Sequence, residues 1–379
     1  MGRVLHLHSE HEDSEHEIPN TSMRTPTIAD SRGYPLPQQR NRVVQRTVVA
    51  GFVAASVVLT GCSKLTDVAP KTIEPARAAL SPRPATAPAG QVLPLDGRPE
   101  AAITDAATGS LVVFTPGADP AAAATLTLLG RSGTARTVTL PGPASAVTGD
   151  GDGTVYASTR GGFFTVNVDD GSTTPTAISG QADTDFTAIA RRADGRLVLG
   201  SAHGVAYTLA EDLTVAHQSD IFARVDAIVT QGDVAVVLDR GQTSITALNP
   251  DGSPAQALRA GLGATTITAD PAGRVLVTDT RGGQLLVFGV DPLMERQGYP
   301  IDESPYGVAG SSTLVWVSQT ATNTVIGYDL ATGIPVEKVR YPTVQQPNAL
   351  AFDESSGTLY VVSGSGAGVQ LIPDAGGPR

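Results

Sequence analysis

The chain has 379 residues, with 37 acidic residues against 26 Lys and Arg, which gives a formal net charge of −11 at pH 7. A surface with this charge has no overall electrostatic attraction to nucleic acid, so we expect no nucleic-acid partner. The sequence contains one cysteine, and this excludes an intramolecular disulfide.

The first element in chain order is an export signal. An apolar run from Val48 to Val58 follows Arg40, Arg42 and Arg46, and this run is too short to span a bilayer comfortably. It is followed by the tetrapeptide Leu-Thr-Gly-Cys, which ends at Cys62.

This tetrapeptide resembles the lipobox of bacterial lipoproteins, in which a diacylglycerol is attached to the cysteine thiol before the signal is cleaved. The resemblance implies that residues 1–62 are a leader with a lipoprotein signal peptide, and that the lipid on Cys62 is the membrane partner. The alternative is an uncleaved membrane anchor with an incidental cysteine. Both interpretations place the remaining chain on the extracytoplasmic face of the cell membrane.

Residues 63–89 have the composition of a linker. The segment has neither a helical nor a strand period, and Ala and Thr lie between its prolines, which are Pro70, Pro75, Pro82, Pro84 and Pro88. Such a sequence predicts a semi-extended tether.

From residue 90 onward the chain is repetitive. An apolar residue that opens each unit recurs at spacings of 44, 42, 39, 39, 41 and 42 residues, at Ile103, Val147, Ile189, Ile228, Ile267, Val308 and Leu350. This is the period of a four-stranded propeller blade. Turns rich in Asp and Gly separate β-branched runs in each unit. Residues 90–379 are therefore predicted to form an all-β, seven-bladed β-propeller.

The ends of the domain predict how the ring closes. After Leu350 the chain has room for only three strands, so the fourth strand of the last blade must come from elsewhere. We expect the segment from Gln91 to Leu95 to supply it, because this pairing removes an open sheet edge. We expect the closed domain to be a monomer.

Two parts of the repeat resemble known propeller families. The residues from Leu314 to Ser318 and from Asn323 to Gly333 resemble YVTN repeats, and those from Gly273 to Asp279 resemble NHL repeats. The resemblance implies a propeller that binds partners or ligands, with no shared catalytic residue to carry over.

The residue inventory disfavours catalysis. After Cys62 the only histidines are His203 and His217, and no cysteine remains. Cys/His nucleophilic catalysis is thereby excluded and a multi-His metal site is disfavoured. A Ser/His/Asp triad stays formally open, although neither histidine has a Gly-x-Ser-x-Gly sequence nearby. We expect no cofactor.

Four successive units carry a basic residue in the turn after their second strand, and each is followed by glycine. These residues are Arg160, His203, Arg240 and Arg281. In a propeller such turns share a face with the connections between blades. The four residues are either ordinary turn residues or a basic arc that binds a carboxylate or phosphate group.

The opposite face is predicted to be acidic. Its turns carry Asp105, Asp150, Asp152, Asp194, Asp233, Asp270, Asp353 and Glu354. Aspartate is favoured in turns for its local hydrogen bonds, and only the segment 150–153 approaches the pattern of a calcium loop.

Asp239 and Asp279 end the second strand of adjacent units and are predicted to point toward the central channel. Lactonase-type propellers place a divalent metal on acidic and amide groups there, so this pair is the candidate metal site of an alternative function. The other interpretation is that these carboxylates cap the channel structurally.

These observations favour a lipid-anchored, extracytoplasmic β-propeller that acts as a ligand- or protein-binding scaffold in the cell envelope. Its expected partner is an envelope protein or an anionic ligand. The alternative is a hydrolase or lactonase with a divalent metal at the channel mouth.

Overall fold

The computed structural model describes residues 70–377, and Cys62 with the rest of the signal segment lies outside these residues. The described chain forms 28 strands in seven four-stranded antiparallel sheets. It contains no α-helix, which confirms the all-β prediction. Within this range no helix therefore has the length and apolarity needed to cross a membrane.

Each sheet is one blade of the propeller, and its four strands follow each other in chain order from the axis outward in blades 1 to 6. Blades 1 and 2 contain β2 (Ala101–Asp105), β3 (Ser110–Thr115), β4 (Thr125–Leu129), β5 (Ala135–Thr139), β6 (Ala146–Gly149), β7 (Thr154–Thr159), β8 (Gly162–Asn167) and β9 (Thr173–Ala177). Blades 3 and 4 contain β10 (Phe186–Arg191), β11 (Leu197–Ser201), β12 (Val205–Leu209), β13 (Val215–Asp220), β14 (Ala227–Gln231), β15 (Val234–Asp239), β16 (Ser244–Leu248) and β17 (Pro254–Arg259).

Blades 5 and 6 contain β18 (Ala264–Ala269), β19 (Arg274–Asp279), β20 (Gln284–Val290), β21 (Leu293–Pro300), β22 (Pro305–Gly310), β23 (Val315–Gln319), β24 (Thr324–Asp329) and β25 (Val336–Pro342). Blade 7 contains β26 (Pro347–Asp353), β27 (Thr358–Ser363), β28 (Val369–Ile372) and the N-terminal β1 (Gln91–Leu93).

The seven innermost strands form a closed ring. Each of them contacts the innermost strands of the two neighbouring blades, and β26 of blade 7 contacts β2 of blade 1. All seven apolar residues that set the sequence period lie on these strands. The predicted number of blades is therefore confirmed.

The ring closes inside blade 7, as the sequence predicts. Strand β1 pairs antiparallel with β28, so that Gln91 lies opposite Leu371 and Leu93 lies opposite Val369. The strand ends at Leu93 rather than at Leu95, but Leu95 still packs with Leu93 against the core between blades 7 and 1. Closure by this strand leaves no unpaired edge in the last blade.

The core consists of seven apolar clusters, one between each pair of neighbouring blades. Strand alternation explains this arrangement, since successive side chains point to opposite faces of a sheet. In β15, Ala235 and Val237 pack toward blade 3, whereas Val236 and Leu238 pack toward blade 5. The middle strands are apolar on both faces because both faces are buried.

The direction of the strands defines two faces of the ring. The turns between second and third strands and the connections between blades lie on one face, which we call the upper face. The turns between first and second strands and between third and fourth strands lie on the other, the lower face.

A substitution in β1 tests the closure. Leu93 is partly buried against the core between blades 7 and 1, so a carboxylate at this position in Leu93→Asp should lower the free energy of unfolding by about 2 kcal/mol or more. The neighbouring Val92 is 40% exposed, so Val92→Asp should cost no more than about 0.5 kcal/mol. Chemical denaturation of both variants measures the difference, and equal losses would contradict the assignment of β1 as the closing strand.

Candidate functional site

Residues 70–89, which we call the strap, lie across the upper face of the propeller. The sequence predicts a tether here, and the backbone is indeed free of helix and strand up to Ala89. It is not free of the domain, however. Ile73 N donates a hydrogen bond to Gly241 O at 2.8 Å, which joins the strap to blade 4.

Further along, the strap is bound mainly through its backbone. In the segment over blades 5 to 7, Ala79 N donates to Ser304 Oγ at 3.1 Å and Gln346 Nε2 donates to Ala79 O at 3.0 Å. Asn323 Nδ2 then donates to Pro82 O at 2.8 Å. A proline-rich segment cannot pair its own backbone groups, so side chains of the upper face satisfy its carbonyl oxygens. Residues 70–89 are therefore extended, but they lie against the upper face of the propeller.

The four residues of the basic arc lie on the upper face, but the structure gives them different partners. Arg240 Nη2 donates to Ala76 O at 2.6 Å, and Arg281 Nη2 donates to Glu74 O at 2.7 Å, so both bind the strap. Arg160 is exposed and its Nη2 lies 3.3 Å from Asp183 Oδ1.

His203, the fourth residue of the arc, is exposed in its turn. Only Arg240 among the four also lines the central channel. The arc therefore stays a sequence-based prediction for anion binding, with two of its members already bound to the strap.

The central channel is a cavity of about 600 Å³ that is lined by the innermost strands of all seven blades. Its walls are mostly small or β-branched side chains. At the upper end it is bordered by polar residues, namely Glu100, Asp226, Arg240, Tyr306 and Asn348. We call Glu100, Asp226 and Arg240 the channel mouth.

Asp226 is held firmly in the channel mouth. Its Oδ2 accepts a hydrogen bond from Arg240 N at 2.7 Å, and its Oδ1 accepts one from Arg224 Nε at 3.1 Å. Burial raises the pKa of the Asp226 carboxyl, although the Arg240 hydrogen bond and the charge of Arg224 act in the opposite direction.

The other two groups of the channel mouth have unused hydrogen-bonding capacity. The Arg240 Nε atom is buried and has no hydrogen-bond partner among residues 70–377. The Glu100 side chain, at the rim, is exposed to solvent, and its carboxylate accepts no hydrogen bond from the described chain. Desolvation raises the pKa of Glu100, and the charge of Arg240 partly offsets this. The mouth thus presents a buried donor without a partner and an exposed carboxylate beside a partly open cavity.

Asp239 and Asp279 do not line the channel. Each is buried, and each carboxylate accepts three backbone N–H groups. Asp239 accepts from Ala223, Arg224 and Gln242 at 2.7, 3.2 and 2.8 Å. Asp279 accepts from Leu262, Gly263 and Gly282 at 2.7, 2.8 and 2.8 Å.

In both blades the carboxylate therefore joins the connection between blades to the next turn of the same face. Glycine at position 282 permits this approach, because a Cβ there would collide with the Asp279 carboxylate. Residues 70–377 contain no group of three His, Cys, Asp or Glu side chains that could hold a metal ion. Each carboxylate of the pair therefore has a structural role, because it caps the backbone N–H groups of a connection between blades and of the following turn.

Several acidic residues of the lower face have structural partners as well. Asp105 Oδ2 accepts a hydrogen bond from Gly153 N of the next blade at 2.8 Å, and Asp233 Oδ1 accepts one from Asp194 N at 2.8 Å. Asp150, in the segment that approaches a calcium loop, accepts from Asp152 N and Thr154 N. These carboxylates stabilise turns and contacts between neighbouring blades.

No protein-family model matches the chain, and no curated protein matches it in sequence. Solved structures match it in fold. A streptogramin B lyase is 14% identical, with a TM-score of 0.61, over 76% of this chain and 97% of that chain. The virginiamycin B lyase of Staphylococcus aureus is 13% identical, with a TM-score of 0.60, over 74% and 98%. A chain of the mitotic checkpoint complex is 11% identical, with a TM-score of 0.63, over 79% and 98%. This similarity shows the propeller fold.

The structural role of the second-strand aspartates can be tested at Asp279. Asp279→Asn puts an amide where three backbone N–H groups converge, and it should lower the free energy of unfolding by about 2 to 3 kcal/mol. Asp183→Asn, at a side chain that is 99% exposed, should change it by less than about 0.5 kcal/mol. Thermal and chemical denaturation provide the measurement. A wild-type melting temperature that rises on adding Mg²⁺ or Ca²⁺, and no longer rises in Asp279→Asn, would instead indicate a metal site.

Proposed function

We propose that this protein is a binding propeller on the extracytoplasmic face of the cell envelope, anchored by a lipid on Cys62, with its ligand site at the channel mouth. The observation that carries the proposal is the buried Arg240 Nε without a partner, beside the unpaired Glu100 carboxylate. A buried polar atom without a hydrogen bond costs free energy, and a bound ligand can supply the bond. A small polar molecule, or a polar side chain of a partner protein, fits such a site.

Binding is better supported than hydrolysis. In a metal-dependent hydrolase or lactonase, Asp239 and Asp279 would be the metal ligands. Their carboxylate oxygens instead accept hydrogen bonds from backbone N–H groups. His203 lies in an exposed turn and His217 lies on the outer strand β13, and neither lines the channel. The channel mouth itself offers recognition through charge and hydrogen bonds.

The anchor and the location rest on the lipobox resemblance at Cys62, which lies outside the described residues. The resemblance of the repeats to YVTN and NHL propellers supports a binding role in the same way. An anionic ligand on the basic arc would have to compete with the strap for Arg240 and Arg281. The channel mouth is the site that needs no such displacement.

Cys62→Ala should abolish lipid attachment and release the protein from the membrane fraction, because the acyl chains provide the anchor. Metabolic labelling with a palmitate analogue, followed by membrane fractionation, provides the measurement. Ser63→Ala is the matched control and should keep both the label and the membrane location. Persistent labelling of Cys62→Ala would contradict the anchor.

The channel-mouth site is tested by comparing substitutions of two arginines, Arg240 and Arg281, which both donate a hydrogen bond to a strap carbonyl. A panel of amino acids, small carboxylates and sugars is first screened for compounds that raise the melting temperature of the full chain. For a compound that does so, Arg240→Ala should weaken binding at least about tenfold, since a charge-assisted hydrogen bond contributes about 1.5 kcal/mol or more.

Arg281→Ala is the control, because Arg281 also binds a strap carbonyl but does not line the channel. It should leave the affinity unchanged. Equal losses in both variants would assign binding to the basic arc, and no loss in either would rule out the channel mouth. If no compound binds, the proposal for a small ligand is wrong and only a protein partner remains.

A further inference from the structure

We propose that the upper face of the propeller docks on the lipid surface of the membrane, with the strap as its point of attachment and the lower face directed away. This inference rests on the proposed lipid on Cys62 for its anchored form, and it goes beyond that proposal by assigning the surface that meets the bilayer. With the upper face docked, the channel mouth faces the lipid. A ligand then reaches it along the channel, whose lining extends to Ala269 at the lower end of β18, and a small ligand fits this route better than a protein partner. Three properties of the described residues carry it.

The first property is the place where the chain leaves the domain. The strap is fixed to blade 4 through Ile73 N and Gly241 O. Eleven residue steps separate Cys62 from Ile73, which can span at most about 40 Å. A free tether up to Ala89 would span more than twice that length and would allow either face to approach the membrane.

With the strap in place, the chain emerges on the upper face. For the lower face to meet the bilayer, the tether would have to run to the rim and then along the height of a blade. A six-residue strand such as β15 alone is roughly 20 Å long, and the turns add to this height. Most of the available length would be used before the lipid is reached. The upper face can meet the bilayer with no such detour.

The second property is the distribution of charge. The turns of the lower face between paired strands contain twelve acidic residues against three Lys or Arg. The strap, turns and connections of the upper face contain nine acidic residues against eight Lys or Arg. The surface of a membrane with anionic lipids is negative, so it repels the strongly acidic lower face much more than the nearly neutral upper face.

The third property is a set of exposed apolar side chains among cations. Leu80 of the strap is 92% exposed, and Leu262 in the connection before blade 5 is 58% exposed. Ile73 and Ile221, at 40% and 46%, also lie on this face. The strap adds three exposed cations, which are Lys71, Arg77 and Arg83. Surfaces that face a membrane combine apolar side chains, which enter the membrane–water interface, with cations, which contact the lipid headgroups.

The orientation is measured on the lipidated full chain, reconstituted in vesicles of phosphatidylcholine and phosphatidylglycerol. Because Cys62 carries the lipid, an engineered cysteine is the only free thiol. A fluorophore is attached in separate samples to His203→Cys on the upper face and to Ser132→Cys on the lower face, both at exposed positions. The two labels differ in height by roughly 20 Å or more, so energy transfer to a dye in the bilayer should be much stronger from residue 203. Equal transfer, or stronger transfer from residue 132, overturns the proposal.

A second arm does not depend on lipidation. The unlipidated Cys62→Ser protein is sedimented with the same vesicles, and Leu80→Asp should weaken its partitioning about tenfold because an interfacial leucine is lost and a negative charge is added. Ile334→Asp is the matched control, since Ile334 is 69% exposed in a lower-face turn, and it should have no effect. Equal behaviour of both variants overturns the docking surface. Mass spectrometry of Cys62 tests the lipid separately, so failure of the anchor and failure of the docking surface give different results.

Discussion

The pairing of β1 with β28 is the constraint from which the rest of the structure follows. It commits residues 91–93 to the outer edge of blade 7. The strap, which precedes them, crosses the upper face over blades 4 to 7 and reaches β1 from there. The strap thereby divides the upper face into a covered part over blades 4 to 7 and an uncovered part over the other blades. The channel mouth lies on this same face.

That asymmetry acts on residues that lie in corresponding turns of the repeat. Arg240 and Arg281 both follow the second strand of their blades and bind the strap, but Arg240 is the first residue of its turn and Arg281 the second, and only Arg240 reaches the channel. Arg160, two blades earlier, has an aspartate as its neighbour instead of the strap. In this propeller the position of an arginine within its turn decides whether it reaches the channel, and the strap decides which arginines of the upper face already have a partner.

The parts that sequence reasoning predicts well are those with a local cause. The blade period, the seven apolar residues of the inner strands and the closing strand all follow from alternation of apolar residues between turns. The strap was missed because its contacts join residues more than 160 positions apart and have no period. Glu100 and Asp226 were missed because they lie in connections outside the repeat. Asp239 ends β15, but the direction of its side chain depends on backbone N–H groups of a preceding connection, and sequence spacing does not reveal these.

The strap also has a mechanical consequence. A pulling force applied to the chain upstream of Pro70 does not act first on the three-residue strand β1. It acts on hydrogen bonds that are spread over four blades, beginning at Ile73 and ending at Ala89. These bonds must break one after another before the tension reaches the strand that closes the ring. The strap therefore protects the pairing of β1 with β28 from a force on the upstream chain, so that the ring stays closed while the strap remains bound.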